Sequence, residues 1–217
     1  MTAKNVLVLA AHPDDETLGC GATIARLADE GHNVHLLTFT DGEGARTTPA
    51  ENRNNKLAKV CEILGATSYA YGNFPDNQLD SVPLLQLCQF IESGVGYAPD
   101  MIFTHHPDCL NVDHQLVYRA TMTAFRPQTG QKQQILAYYV PSSTDYNPKS
   151  TFQGNVYYDV RDFKDKKIEC LKECYDEEMR AFPHSRSYEN INNLLKTWGA
   201  EVGLECAEKF ELIRGII

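Results

Sequence analysis

Several things are scarce in this chain, and each scarcity closes a route. Basic side chains are short: 20 Lys and Arg stand against 29 Asp and Glu, a formal net charge of -9. That balance argues against a broad nucleic-acid footprint or an anionic membrane surface. No C-x-x-C pair occurs among the seven scattered cysteines, Cys20, Cys61, Cys88, Cys109, Cys170, Cys174 and Cys206. Neither a structural zinc knuckle nor a disulfide framework is implied, and a reducing compartment follows. The opening "MTAKNVLVLA" is too short an apolar run to span a bilayer and has no small-residue cleavage site, so the expectation is a cytoplasmic protein without a membrane span. Internal repeats, low-complexity tracts and linker-like stretches are missing too. With 217 residues and 42% hydrophobic content, the expectation is a single domain over 1–217.

What is present alternates. "NVLVLAA" is a continuous apolar run suited to a strand covered on both faces, and "TLGCGATIARLADEGH" follows with helical spacing that Gly31 stops. "NVHLLTFT" is a second strand, completing a β-α-β unit whose two strands should be parallel. Helix and strand alternate again through "ENRNNKLAKVCEILGA", "TSYAYGNF", "VPLLQLCQFIESGVGYAP" and "DMIFTHHPD". A helix on "HQLVYRATMTAF" and strands on "QQILAYYVP" and "GNVYYDV" complete the reading, with Tyr138 and Tyr139 as core strand residues. The charge-laced "FKDKKIECLKECYDEEMR" reads as a solvated helix, with Cys170 and Cys174 sharing its packed face. The fold class is therefore α/β, Rossmann-like, a mainly parallel sheet with helices on both faces. The stretches 41–52 and 141–154 are long for connections in such a fold, and long loops are disproportionately functional.

Polar residues gather at three strand ends: "AHPDDE" after the first, "TDGEGAR" after the second and "THHPDCLNVDH" after a later one. In open α/β sheets ligands sit at that rim. A dinucleotide reading fails, because "GCGATI" lacks the third glycine and comes well after the strand has ended in acids. His12 and Asp15, at i,i+3 around Pro13, can converge on a cation, and His114 from the later rim completes two imidazoles and one carboxylate with a coordination position left over. Helix capping is the competing role for Asp14 or Asp15. It does not account for His12 or for the matching cluster on another strand.

"AHPDDETLGCGATIARLADEG" with the downstream "NVDH" resembles the PIG-L/LmbE-like N-acetylglucosamine deacetylases, a zinc-dependent group with a Rossmann-like fold. "LTFTDGEGAR", Arg53 ahead of "LG", "FPHSRS" and "AEKFELIRG" extend the likeness over most of the chain. The resemblance implies that His12, Asp15 and His114 bind Zn2+ at the carboxyl ends of the strands and that Asp14 is the general base. It implies hydrolysis of an N-acetyl group from a small amino sugar or its conjugate. Two histidines and a carboxylate also suit Fe2+ or another divalent ion, and a non-haem iron oxygenase is the competing enzyme class. Where well-studied members carry a histidine three residues before the last ligand, this chain has Asn111, which donates a hydrogen bond but supplies no proton at neutral pH. His106, or Asp14 acting twice, is then the candidate acid; a metal-binding homologue without turnover is the alternative. Asp113 is expected to fix a neighbouring imidazole or amide, and Glu16 to cap or support. Arg53, His184 and Arg186 are candidates for substrate hydroxyl or phosphate contacts, against surface ion pairing; Lys56 stands where many members have glutamate. Sugar, acyl group and oligomeric state, a homo-oligomer included, are not written in these motifs.

Overall fold

In the computed structural model, residues 2–42, 53–94, 96–128 and 132–216 are described. Seven strands form one sheet: β1 (Asn5–Ala10), β2 (Asn33–Thr40), β3 (Ser68–Phe74), β4 (Met101–His105), β5 (Gln134–Tyr138), β6 (Val156–Asp159) and β7 (Ala207–Arg214), in the order β3-β2-β1-β4-β5-β7-β6. The first five run parallel, and β7 is antiparallel to both β5 and β6. Among the described residues six α-helices accompany them: α1 (Asp15–Asp29), α2 (Arg53–Leu64), α3 (Leu84–Gly94), α4 (Val112–Ala124), α5 (Lys164–Tyr175) and α6 (Tyr188–Glu201).

Alternation along β1 divides the core. Val6 and Val8 face a cluster that includes Ile24 of α1, Leu57 of α2 and Leu171 of α5. Leu7 and Leu9 face the other side, with Leu87 of α3 and Val117 of α4. All four β1 side chains are buried, which is why this strand reads as a continuous apolar run. The chain leaves β1 in one direction for β2 and β3 and returns to its other side for β4 and β5. The gap between β1 and β4 is therefore the topological switch point, where the ends of adjacent strands diverge and leave a crevice.

Helix α1 departs from the single continuous helix its spacing predicts. Cys20 has φ -147° and ψ 23°, a break that frees backbone groups on both sides. Glu208 of β7 accepts from Thr23 N at 2.7 Å and from Ala22 N at 3.3 Å, while Lys167 of α5 donates to Leu18 O at 2.8 Å. Gly19 lies at the same bend, where an added Cβ would stand 2.3 Å from the Tyr138 ring, so only glycine lets helix and strand approach this closely. Gly31, at φ 82°, ends the helix as its position predicts.

The segment "FKDKKIECLKECYDEEMR" corrects its reading as a solvated helix. Lys167, Cys170, Leu171, Cys174 and Tyr175 are buried against α1 and the sheet, and only the opposite face is wet. Periodic charge hid this because one of the lysines is itself internal. Helix α6 and strand β7 were not separately delimited from the sequence, although "AEKFELIRG" supplies β7. From residue 43 onward, the long connection expected over 41–52 lies outside the described residues. Among the described residues, no helix is long and apolar enough to cross a membrane.

Candidate metal centre

Strand β1 ends at Ala10 and the chain turns sharply over His12 to Asp15. Asp15 closes that turn by accepting from His12 N at 2.9 Å, and Asp14 is left at φ 123°, a conformation that side chains other than glycine rarely adopt. Such backbone strain is of order 1–3 kcal/mol and persists where surroundings enforce it. Here Glu16 enforces it: its Oε2 accepts from Asp14 N at 3.1 Å, and its Oε1 accepts from the hydroxyls of Thr17 and Tyr175, both at 2.8 Å. Burial raises the Glu16 pKa to about 7 against the lowering influence of these donors. Neither Asp14 nor Asp15 caps α1 through its side chain, so the capping role falls away for both.

Helix α4 opens just beyond β4, and Asn111 is its N-cap, accepting from Asp113 N at 2.8 Å. One turn in, His114 points back towards β1. His12 Nδ1 lies 3.2 Å from Asp15 Oδ2, His114 Nε2 lies 3.2 Å from the same oxygen, and the two ring nitrogens are 3.3 Å apart. Two imidazole lone pairs and a carboxylate oxygen this close must share a cation or a proton. Burial disfavours charge on either ring. The hydrogen bonds to Asp113 and Asp15 nonetheless drive His12 up to about 10, and Asp15 with Cys109 drives His114 up to about 9. Asp15 in turn is held well below the usual carboxylate range despite its burial, chiefly by His114.

The triangle fits a divalent ion. Donors at the ~2.0–2.1 Å that zinc takes from imidazole nitrogen and carboxylate oxygen stand about 3.3–3.4 Å apart around a tetrahedron. The three observed separations, 3.2, 3.2 and 3.3 Å, are close to these, and the three residues line a cleft of about 190 Å³. A second cluster, His12, Asp76 and Asp113, shares the same imidazole. His12 Nε2 is 3.2 Å from Asp113 Oδ2 and 3.4 Å from Asp76 Oδ1, on the far side from Asp15. With Nδ1 committed to the triangle, Nε2 carries the hydrogen and these carboxylates receive it. Asp113 also accepts from Leu79 N at 3.0 Å, so it fixes both an imidazole and an amide.

Asp14 stands beside the triangle and outside it. Its carboxylate is buried, which raises its pKa, while Arg186 opposes that rise from 2.8 Å. Arg186 is held by Ser142 Oγ at 3.1 Å, and Ser185 hydrogen-bonds to Asp145 and accepts from Ser142 N, so the 141–146 and 180–187 segments together aim one guanidinium into the cleft. Asp76, Asn77, Asn111, Ser142, Ser143 and Glu178 line the rest of it.

The structure thus gathers His12, Asp14, Asp15, Asn111, Asp113, His114 and Arg186 around one cleft. It does not bring in His106, whose Nε2 lies 3.2 Å from Glu211 of β7 with its ring against Phe152. Its neighbour His105 takes the inward position instead, stacked on His114 with centroids 3.9 Å apart and accepting from Ala11 N at 2.9 Å. Adjacent residues at a strand end face opposite sides, and the sequence "HH" conceals which one turns inward. His184 stays outside the cleft lining, accepting from Arg186 N and packing on Tyr146. Arg53 opens α2, and its side chain lies outside the described residues. Lys56 pairs with Glu177. Asp76 was missed, although "FPDNQ" after β3 repeats the Pro-Asp pattern of "HPDDE" and "HHPDC" and could have disclosed it.

Residues 7–125 match the family model described as PIG-L, GlcNAc-PI de-N-acetylase. Among curated proteins, the uncharacterized deacetylase YaiS of Escherichia coli (strain K12) is 31% identical over 147 residues, covering 64% of this chain and 76% of that one. A 1D-myo-inositol 2-acetamido-2-deoxy-alpha-D-glucopyranoside deacetylase of Kineococcus radiotolerans is 39% identical over 84 residues, 34% of this chain and only 23% of the relative's length. Among solved structures, the N,N'-diacetylchitobiose deacetylase of Pyrococcus horikoshii aligns with a TM-score of 0.75 at 19% identity, covering 97% of this chain and 84% of that one, a likeness of fold.

Proposed function

Because the chain belongs to the PIG-L family, we propose that it is a metal-dependent hydrolase that removes an N-acetyl, or closely related N-acyl, group from an amino sugar or amino-sugar conjugate. The observation that carries this reading is the placement of Asp14: a carboxylate buried next to the three-donor triangle, paired with a cation, and not itself one of the three donors. A site that only bound metal would have no use for it. The names of both substrate-defined relatives contain an acetylated amino sugar, which supports the substrate class.

A divalent ion, Zn2+ in this reading and Fe2+ or another ion by the same donor chemistry, would be held by His12 Nδ1, Asp15 and His114 Nε2 and would supply Lewis acidity and a water of lowered pKa. The chain's own groups do the rest. Asp14 takes the proton of the attacking water at its carboxylate, which Arg186 pairs with and orients. The amide C–N bond then breaks, and Asp14 returns the proton to the departing nitrogen, giving acetate and a primary amine. Asn111 Nδ2 and the Arg186 guanidinium are the donors available to the carbonyl oxygen as it gains charge. Asp113 holds His12 in the tautomer that leaves Nδ1 free. The polar lining suits a hydroxylated ligand. Asn111 in place of a histidine supports a second reading, a homologue that binds a glycan with little turnover.

A screen of N-acetylated sugars for amine release, with a chelator control, separates the two. Asp14→Asn should keep metal and fold and lower kcat by 10²-fold or more, the usual contribution of a general base. Activity within tenfold of the parent would remove Asp14 from that role.

A further inference from the structure

The two histidines of the triangle are supported in different ways. Behind His12 stand two carboxylates, Asp113 and Asp76. Behind His114 stands a sulfur atom. We propose that Cys109 is a positioning residue for the metal centre: its thiol accepts the Nδ1–H of His114 and so fixes the tautomer and direction of that ligand. The proposal rests on the reading of His114 as a ligand.

With His114 Nε2 facing Asp15 and His12, the ring's hydrogen belongs on Nδ1, and Nδ1 lies 3.1 Å from Cys109 Sγ. The thiol's own hydrogen has a separate destination, Ser143 Oγ at 3.1 Å, with Thr144 Oγ1 at 3.5 Å, so Cys109 accepts from one side and donates to the other. The sulfur is completely buried, and its backbone is pinned on three sides. Cys109 N donates to His106 O, Gln115 Nε2 donates to Cys109 O at 2.7 Å, and the next residue, Leu110, donates its N–H to Ser143 O. His105 stacks on one face of the His114 ring, so the ring has no freedom to tilt away.

Imidazole ligands are usually backed by a carboxylate, a carbonyl or water. A carboxylate at position 109 would add to the crowd of Asp14, Asp15, Asp76 and Asp113 around a single ion. A sulfur atom gives the orienting hydrogen bond without another carboxylate. Thus one ligand is backed by carboxylates and the other by a polarisable sulfur.

The test measures Zn2+ affinity by competition with a chromophoric chelator and the visible absorption of the Co2+-loaded protein, in the parent, Cys109→Ala, Cys109→Ser and Cys88→Ala. Cys88 is also buried and donates to Ala120 O, remote from the cleft, so its variant reports the loss of a buried thiol alone. Cys109→Ala should weaken zinc about 10–100-fold, the range for loss of a group that orients a metal-bound histidine, and should shift the Co2+ spectrum. Cys109→Ser should recover most of that loss, because a hydroxyl can also accept from Nδ1–H, and Cys88→Ala should match the parent. Parental zinc affinity with an unchanged Co2+ spectrum in Cys109→Ala would overturn the proposal. So would equal weakening in Cys88→Ala. Parental zinc binding by His114→Ala would instead overturn the ligand reading on which the proposal rests.

Discussion

Two clusters of buried charge lie along α1, one at its break and one at its N-terminus, and they are built on opposite plans. In the first, Lys167 and Glu208 meet at 2.6 Å, both almost wholly buried. Both also bond to the backbone of α1: Lys167 holds Leu18 O, and Glu208 holds Thr23 N and Ala22 N. One positive and one negative charge cancel, and the pair repairs the helix break. In the second, Asp14, Asp15, Asp76 and Asp113 surround His12 and His114, and the guanidinium of Arg186 pairs with Asp14. Carboxylates and imidazoles converge there, and the cluster opens onto a cleft. A buried ion pair tied to the backbone is a structural device. Carboxylates and imidazoles gathered beside a cleft, at a strand switch point, are a place for a cationic ligand.

Breaking each cluster should therefore cost different things. The largest effect is expected from His114→Ala, which should lose most bound zinc, read by elemental analysis of the dialysed protein, and with it measurable turnover, while the fold persists. Full occupancy would remove His114 from the ligand set. Lys167→Met should do the reverse. Leaving Glu208 buried without its cation should cost about 3–5 kcal/mol, read as a lower denaturant midpoint, with zinc stoichiometry unchanged in the protein that remains folded. A Lys167→Met protein that lost metal but no stability would erase the distinction between the clusters.

Legibility in the sequence followed the same division. The cluster at the candidate metal centre was readable because its residues are local to strand ends: "HPDDE" and "NVDH" each place several of its side chains within a few positions, and the strands that carry them are continuous apolar runs. The Lys167–Glu208 pair was not, because its members are 41 positions apart on α5 and β7, and a lysine in a charge-laced helix looks no different from its solvated neighbours. The choice of His105 over His106 was hidden for a related reason. It depends on which way β4 faces as it ends, and that is set by the pairing of β4 with β1 and β5. Cys109 was legible only as one of seven scattered cysteines, since its partners Ser143 and Thr144 come from a distant loop.

Asn111 sharpens the comparison, because it belongs to both plans at once. Its Oδ1 caps α4, and its Nδ2, at 3.3 Å from Asn77 Oδ1, faces the cleft. Asn111→Ser should retain the cap and remove the amide donor. Stability should then stay within about 1 kcal/mol of the parent. kcat should fall roughly ten- to hundredfold, at or below the usual loss for one oxyanion donor, because this amide is already shared with Asn77. Unchanged kcat with zinc content verified would leave Asn111 as a helix cap and nothing more.

The smallest effect is expected at His106, the histidine that the fold turns away from the cleft. Burial lowers its pKa below the ordinary 6.5, although Glu211 and Asp108 pull the other way. Well above pH 6.5 the ring is uncharged in both the folded and the unfolded chain, so it contributes no pH dependence there. As the pH falls below 6.5 the unfolded chain takes up a proton at this position while the folded one resists, and stability declines until the folded pKa is reached. His106→Asn should therefore make the acid-side loss of stability less steep, read as the denaturation midpoint between about pH 7 and pH 5. It should leave zinc content, kcat and the pH profile of turnover as they are. A lost limb in that profile would instead mean that His106 gives its proton to the leaving amine, and that the ring swings away from Glu211 during the reaction.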